Sequence, residues 1–193
     1  MLRYMVALLS LFSLSSQNVN KEEIKTYEDG EVYNVYSAVV ALEKTKGDLL
    51  IGDTTVPFSI CLEPNSSKRA NAAIEDYKKV NKHRWRLGYH FEMSRPYKLL
   101  SEKEADEFLQ PDKRTGEWRL TPEGGIHHFS AVGFSVDRTI AFLEMDLACG
   151  GLCGHGRPYL LQKKNGRWTE YDPAPAKNAD GTYIFGSFCS WNY

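Results

Sequence analysis

The chain has 193 residues, with 24 lysines and arginines against 25 aspartates and glutamates, and a formal net charge of −1. So balanced a charge excludes the overall electrostatic attraction by which basic proteins hold nucleic acid or an anionic membrane surface. The four Trp, eleven Tyr and nine Phe residues supply enough large apolar side chains for one packed core.

The N-terminus has the three parts of a secretory signal peptide. Arg3 supplies the positive charge, an apolar run follows, and Ser13-Leu14-Ser15 places small residues where a signal peptidase cleaves. The run is shorter than the roughly 17–25 residues that a membrane-spanning helix needs, and no later stretch is long enough to span. We therefore predict an exported protein, periplasmic or secreted, with a signal peptide at 1–15 and a single globular domain at 17–193.

All four cysteines follow this segment, and an even number of cysteines in an exported chain predicts disulfides. Three pairings of Cys61, Cys149, Cys153 and Cys189 are possible. The interpretation that we favour is Cys149–Cys153, closing a short loop, and Cys61–Cys189, joining the C-terminal tail to the body of the domain.

Apolar residues at helical spacing and capping residues predict three helices. The first follows Asp29-Gly30 and ends before Gly47, the second spans about 67–85, and a capping box at 101–104 begins a third that ends near Leu109. An extended segment that Pro57 limits is predicted from 49–51 and 54–56, and a strand is predicted at 97–100, because apolar and β-branched residues are concentrated there.

After His127 the pattern alternates, which predicts an antiparallel meander at about 127–171. Val136-Asp137-Arg138 is turn-like, and Asn165-Gly166 is the strongest hairpin signal, because both positions of its turn need a positive φ. The tail at 172–193 is loop-rich, with one possible edge strand at 182–185. Helices first and strands afterwards predict an α+β fold, with N-terminal helices packed on a C-terminal antiparallel meander of about four or five strands.

The segment 149–156, Cys-Gly-Gly-Leu-Cys-Gly-His-Gly, is predicted to be a loop between the second and third strands of this meander. Glycines permit positive φ angles and close approach of the backbone. The candidate functional loop therefore consists of Gly150, Gly151, Gly154, His155 and Gly156.

Four interpretations of this segment compete. A disulfide across the loop is structural, whereas a catalytic dithiol has a C-x-x-C spacing that is one residue shorter. A metal site would combine both cysteines with His127, His128 and His155, although adjacent residues of a strand point to opposite faces. A cysteine or serine nucleophile activated by a histidine is the fourth, and no G-x-S-x-G accompanies it. We favour the disulfide, and we predict no catalytic residue, metal or cofactor.

Glu144 and Asp146 are two residues apart and therefore share one face of the predicted strand. Two neighbouring carboxylates suggest general acid–base catalysis. A solvated strand face is the interpretation that we favour.

The segment 129–168 resembles the C-terminal signature of a family of uncharacterised bacterial exported proteins, S-x-V-G-F-x-x-D-x-T-x-A, then C-G-G-L-C-G-x-G, then L-L-x-K-x-N-G-x-W. The segments 35–40, 52–55 and 75–87 resemble the opening helix, the strand after it and the middle helix of the family. The resemblance implies an α+β fold and a bacterial source, and it implies no activity. Ala131 and Ser135 stand where that family often has Arg and Asn, so any role of those side chains is absent here.

These features lead to two hypotheses on function. The first is a non-enzymatic envelope or secreted protein that binds an unknown protein or small ligand through a surface of its sheet, without nucleic acid and without a membrane span. The alternative is a small exported redox or metal-dependent enzyme centred on 149–156. Inhibition or chaperoning of another exported protein is a third possibility, since protein interfaces have no local sequence signature.

Overall fold

The computed structural model describes residues 24–43, 49–58, 67–111, 113–116, 125–150 and 153–171. Three short strand segments at 176–177, 183–184 and 191–192 are described by their backbone, as is residue 153. The predicted signal peptide, Cys61 and Cys189 lie outside the described residues. Within the described ranges no helix is long and apolar enough to cross a membrane.

The described residues contain three helices, α1 (Gly30–Leu42), α2 (Lys68–Val80) and α3 (Glu102–Phe108). Each is preceded by a capping residue whose side chain accepts a hydrogen bond from a backbone N–H of the first turn, namely Asp29, Ser67 and Ser101. Such caps satisfy amide groups that have no partner inside the helix. The three predicted helix starts are confirmed.

The described strands are β1 (Lys25–Thr26), β2 (Leu49–Gly52), β3 (Trp85–Arg86), β4 (Tyr97–Leu100), β5 (Ile126–Phe129), β6 (Gly133–Phe134), β7 (Ile140–Gly150), β8 (Cys153–Lys164), β9 (Arg167–Glu170), β10 (Ala176–Lys177), β11 (Tyr183–Ile184) and β12 (Trp191–Asn192). The predicted turn between β8 and β9 is confirmed, with φ of 51° at Asn165 and 78° at Gly166. The second helix is shorter than predicted, because Trp85 and Arg86 pair with β1 instead of continuing α2. The predicted edge strand at 182–185 contains β11, which pairs with β10 outside the main sheet.

The main sheet contains eight of these strands in the order β12-β8-β7-β5-β2-β4, with β6 also on β7 and β9 also on β8. β2 is parallel to both β4 and β5, and the other pairs of this sheet are antiparallel. The predicted α+β arrangement of N-terminal helices on a C-terminal antiparallel meander is therefore wrong. The sheet is mixed, and β2 and β4 bring the N-terminal half of the chain into it. A short continuous apolar run such as Leu49-Leu50-Ile51 is typical of a strand that is covered on both faces.

Helices cover both faces of the sheet. α1 packs on one face, where Tyr36 stacks on Phe129 with ring centroids 4.5 Å apart. α2 covers Ile140, Phe142 and Leu160 on the opposite face, and α3 covers Leu50, Leu100 and Ile126 beside it. A polar side chain between the sheet and α2 or α3 is therefore shielded from water.

Candidate functional site

The segment 149–156 is mostly strand rather than loop. β7 continues to Gly150 and β8 begins at Cys153, so Gly154, His155 and Gly156 belong to the ladder, opposite Ala148, Leu147 and Asp146 respectively. The prediction of an eight-residue loop is wrong, because the long hairpin supplies backbone partners that outweigh the low strand propensity of glycine. Gly151 lies outside the described residues.

His155 lies in a cluster around Glu43, the residue that ends α1. Its Nε2 is 3.6 Å from the Glu43 carboxylate, which also accepts a hydrogen bond from the Tyr159 hydroxyl and is 3.2 Å from a guanidinium nitrogen of Arg157. Burial opposes ionisation of Glu43, but hydrogen bonds from Tyr159 and Arg157 outweigh it and hold the pKa of Glu43 below its usual value. This cluster fastens the end of α1 to β8 and leaves no unpaired charge on Glu43.

The predicted metal ligands are divided between the two faces of the sheet. His127 and His128 are adjacent on β5, and their partners on β7 are Leu147 and Asp146. No group of three or more His, Cys, Asp and Glu residues able to hold a metal ion occurs in the described part of the chain. Cys149 is not a free thiol, and the side chain of Cys153 lies outside the described residues, so the disulfide pairing stays a prediction.

A cavity of about 330 Å³ lies at the carboxyl end of β2, on the face that carries α2 and α3. Its walls come from the end of β2 and the residues after it, from α3, from one basic residue after α2 and from one histidine of β5. The lining residues are Gly52, Asp53, Thr54, Val56, Arg84, Glu102, Ala105, Asp106, Leu109 and His128. We call it the His128 cavity. In sheets with parallel strands, ligands commonly bind beyond the carboxyl ends of those strands.

The imidazole ring of His128 lies against Gly52, the last residue of β2. A Cβ atom placed on Gly52 would lie 2.8 Å from Nδ1 of the imidazole, so the ring packs directly on the glycine backbone. Among the described residues the ring has no hydrogen-bond partner, and burial lowers the pKa of His128. The imidazole is therefore neutral near pH 7 and offers one donor and one acceptor nitrogen.

Three carboxylates and one guanidinium line the same cavity. Asp53 accepts a hydrogen bond from the Thr54 hydroxyl at 2.8 Å and pairs with Arg86 at 3.0 Å. Arg84 forms an ion pair with Glu102 at the rim. Asp106 is exposed, and its charge raises the pKa of His128 against the larger effect of burial. With both arginines already paired, Asp106 is the one carboxylate of the cavity lining that has no ion-pair partner among the described residues.

Glu144 is fully buried beneath α2, with an exposed fraction of 0%. Its Oε2 accepts a hydrogen bond from the Tyr77 hydroxyl at 2.5 Å, and its Oε1 is buried without a partner among the described residues. Burial raises the pKa of Glu144 to about 8 and the pKa of Asp146 to about 6. The predicted solvated face is therefore wrong for Glu144, because β7 is covered on both faces.

Sequence reasoning missed three residues of the site, Asp53, Arg84 and Asp106. It also missed that His128 lines a cavity. A signal for Asp53 does exist, since Gly52-Asp53-Thr54 places polar residues immediately after an apolar strand. Asp106 gives no such signal, because it is one acidic residue among four in a short amphipathic segment.

Comparison with known protein families, curated proteins and solved structures finds no match for this chain.

Proposed function

We propose that the protein is an exported, non-enzymatic binding module that takes up a small organic cation in the His128 cavity. The observation that supports this proposal is the cavity itself, in which a neutral imidazole lies near the carboxylate of Asp106 and neither group has a hydrogen-bond or ion-pair partner among the described residues. Its volume of about 330 Å³ falls within the range of small-molecule pockets, about 300–1,000 Å³.

The chemistry of the lining favours a positively charged ligand. An ammonium group has hydrogen-bond donors and no acceptor, so it matches carboxylate oxygens and the unprotonated nitrogen of a neutral imidazole. An anionic ligand would meet three carboxylates and one guanidinium that is already paired with Glu102. Hydrogen bonds to charged groups contribute about 1.5–3 kcal/mol each, which is enough for the cavity to prefer a cationic ligand over an anionic one.

Calorimetric titration with putrescine, agmatine and choline tests the proposal, with acetate and succinate as anionic controls. Replacing Asp106 by Asn keeps the shape of the side chain and removes its charge. We expect Asp106→Asn to weaken cation binding by about tenfold or more, which corresponds to one charge-assisted hydrogen bond.

Glu107→Gln is the matched control, because Glu107 is the next residue of α3, is absent from the cavity lining and pairs with Lys103 at 3.8 Å. It changes the net charge equally and should leave cation binding unchanged. The proposal fails if none of the three cations binds, or if both variants weaken binding to the same extent.

A further inference from the structure

Glu144 stands between β7 and α2 with a single polar contact at its carboxyl group. Tyr77, itself 2% exposed, donates its hydroxyl proton to Oε2 at 2.5 Å. A carboxylic acid in this position carries its own proton on the second oxygen, Oε1, which has no partner in the part of the chain that the structure describes. An ionised carboxylate there would be a buried charge with one hydrogen bond, which is strongly unfavourable.

The groups that face Glu144 do not compensate for a negative charge. α2 presents Tyr77, and the Asn81 amide reaches Glu144 through the Tyr77 hydroxyl. The paired residue on β8 is Pro158, and the backbone N–H of Glu144 donates to Ser130 beyond β5. Burial is the main effect on its pKa, and no cationic group of the described residues opposes it. Further along the same face of the sheet, the titratable groups are Asp146 on β7 and its pair His128 on β5, and at neutral pH neither is a cation.

The same contacts extend to the wall of the His128 cavity. Asn81 donates to the Tyr77 hydroxyl at 2.8 Å and to the Phe58 carbonyl oxygen at 3.3 Å, and its own carbonyl oxygen accepts from the Ala131 N–H at 3.2 Å. Phe58 is two residues beyond the lining residue Val56. Arg84, also in the lining, follows Asn81 by three residues and donates to the Thr55 carbonyl oxygen at 3.3 Å. The end of α2 and the segment after β2 are therefore held by one network that ends on Glu144.

We infer that Glu144 is a neutral carboxylic acid that locks the end of α2 to the sheet, and that loss of its proton in alkaline solution loosens α2 and the adjoining wall of the His128 cavity. The consequence for ligand binding rests on the proposed function. Ionisation would place a charge beside the Tyr77 hydroxyl in a fully buried position, so the favourable response is for α2 to open and admit solvent. The device is thus a pH-sensitive latch built from one acid and one phenol.

Amide hydrogen exchange along α2 tests the latch, with protection factors compared at about pH 6 and about pH 9. The pKa of Glu144 is far lower when α2 is open and the carboxyl is exposed than when α2 is closed. The equilibrium constant for opening of α2 therefore rises up to tenfold per pH unit, until Glu144 ionises in the closed state as well. We expect the wild type to lose protection in α2 by about a hundredfold over this interval. Glu144→Gln, which retains an acceptor for Tyr77 and cannot ionise, should show no such loss.

Asp146→Asn is the matched control, since Asp146 is the other carboxyl with a raised pKa on β7, and it should behave as the wild type. Infrared difference spectroscopy keeps the inference testable if Glu144→Gln does not fold. A band of a protonated carboxyl group should be present in the wild type at neutral pH and should disappear in alkaline solution. The same band should be present at neutral pH in Asp146→Asn, because it belongs to Glu144. Absence of that band at neutral pH, or equal loss of protection in the wild type and Glu144→Gln, would overturn the inference.

Cation titrations at both pH values separate this inference from the proposed function. If no cation binds at either pH while α2 loosens as expected, the proposed function fails and the latch stands. If cations bind equally well at both pH values although α2 has loosened, the link between the latch and the cavity is wrong.

Discussion

Two neighbouring histidines show how the pleat of one strand gives identical side chains different environments. His127 is 2% exposed, its Nδ1 donates to the Leu50 carbonyl oxygen at 3.3 Å, and burial lowers its pKa to about 4. His128, one residue further, reaches the cavity on the other face. His127 is therefore a neutral core residue, and His128 alone is available to a ligand.

The contact between His128 and Gly52 predicts a specific effect of a small substitution. In Gly52→Ala, the new Cβ would lie 2.8 Å from Nδ1, so the imidazole must move away from β2. We expect a loss of about 1–3 kcal/mol in the free energy of unfolding, as for other overpacked sites, together with weaker cation binding. Urea unfolding measures the first effect, and calorimetry measures the second.

Gly30→Ala is the control for this prediction, because a Cβ on Gly30 meets nothing within 4 Å. Gly30 begins α1, where alanine is favoured over glycine by up to about 1 kcal/mol. The displaced ring should also be visible as shifted imidazole resonances of His128 in Gly52→Ala. Unchanged resonances and unchanged stability would contradict the packing of His128 on Gly52.

At the scale of elements, α3 is a short helix that depends on its N-terminal cap. The Ser101 hydroxyl accepts from the Glu104 N–H at 3.3 Å, and the Glu104 carboxylate accepts from the Ser101 N–H at 2.9 Å. This reciprocal pair holds the pKa of Glu104 low, at about 2, through the backbone and hydroxyl of Ser101. Because helices of seven residues are not stable by themselves, the cap and the buried Ala105 together fix the cavity wall.

Ser101→Ala should therefore weaken both the fold and the cavity. We expect a loss of about 1 kcal/mol in the free energy of unfolding, and reduced cation affinity because Glu102 and Asp106 are carried by α3. Ser101→Thr, which retains a hydroxyl that can accept from the Glu104 N–H and donate to the Glu104 carboxylate, should be close to the wild type in both measurements. If Ser101→Ala and Ser101→Thr are equally stable in urea, the cap does not stabilise α3.

Elements that local sequence determines were predictable, and pairings between distant segments were not. The caps at Asp29, Ser67 and Ser101 and the turn at Asn165-Gly166 each depend on a few adjacent residues, so their sequence patterns were sufficient. The parallel pairing of β2 with β4 joins segments about 50 residues apart along the chain. No local pattern encodes such a pairing, so a mixed sheet was mistaken for a meander.

The same limitation concealed most of the site. Glu144 alternates with apolar residues as a solvated side chain would, and only the packing of α2 over β7 shows that it is buried. His128 was considered as a metal ligand with the cysteines, yet its place opposite Gly52 follows from the pairing of β5 with β2. The hairpin at 149–156 has glycines that are typical of a loop, and the ladder of β7 and β8 keeps Gly150, Gly154 and Gly156 in strands.

At the scale of the whole molecule, helices on both faces of one sheet place several ionisable groups in the interior. Most proteins gain stability from carboxylates that have a lowered pKa in the folded state. Glu31, Glu43 and Glu104 belong to that kind here. Glu144 and Asp146 are of the opposite kind, because burial raises their pKa values. His127 also has an unfavourable ionised form, because burial lowers its pKa.

These groups predict an unusual dependence of stability on pH. Between about pH 7 and about pH 8, Asp146 is largely ionised and His127 and His128 are largely neutral in both the folded and the unfolded chain. Glu144 is protonated in the folded chain and ionised in the unfolded chain, so folding binds a proton and stability falls as pH rises. We expect the free energy of unfolding to decrease by about 1 kcal/mol over this interval, with a slope of up to about 1.4 kcal/mol per pH unit that falls off as pH 8 is approached.

Urea unfolding at a series of pH values measures this decrease directly. Glu144→Gln removes the titrating group and should give a free energy of unfolding that is nearly constant between about pH 7 and about pH 8. Asp146→Asn should retain the decrease, because Asp146 has already ionised below this interval in the wild type. A wild-type stability that is constant or rises over the same interval would show that Glu144 is ionised in the folded protein, and hence that water or a cation reaches it beneath α2.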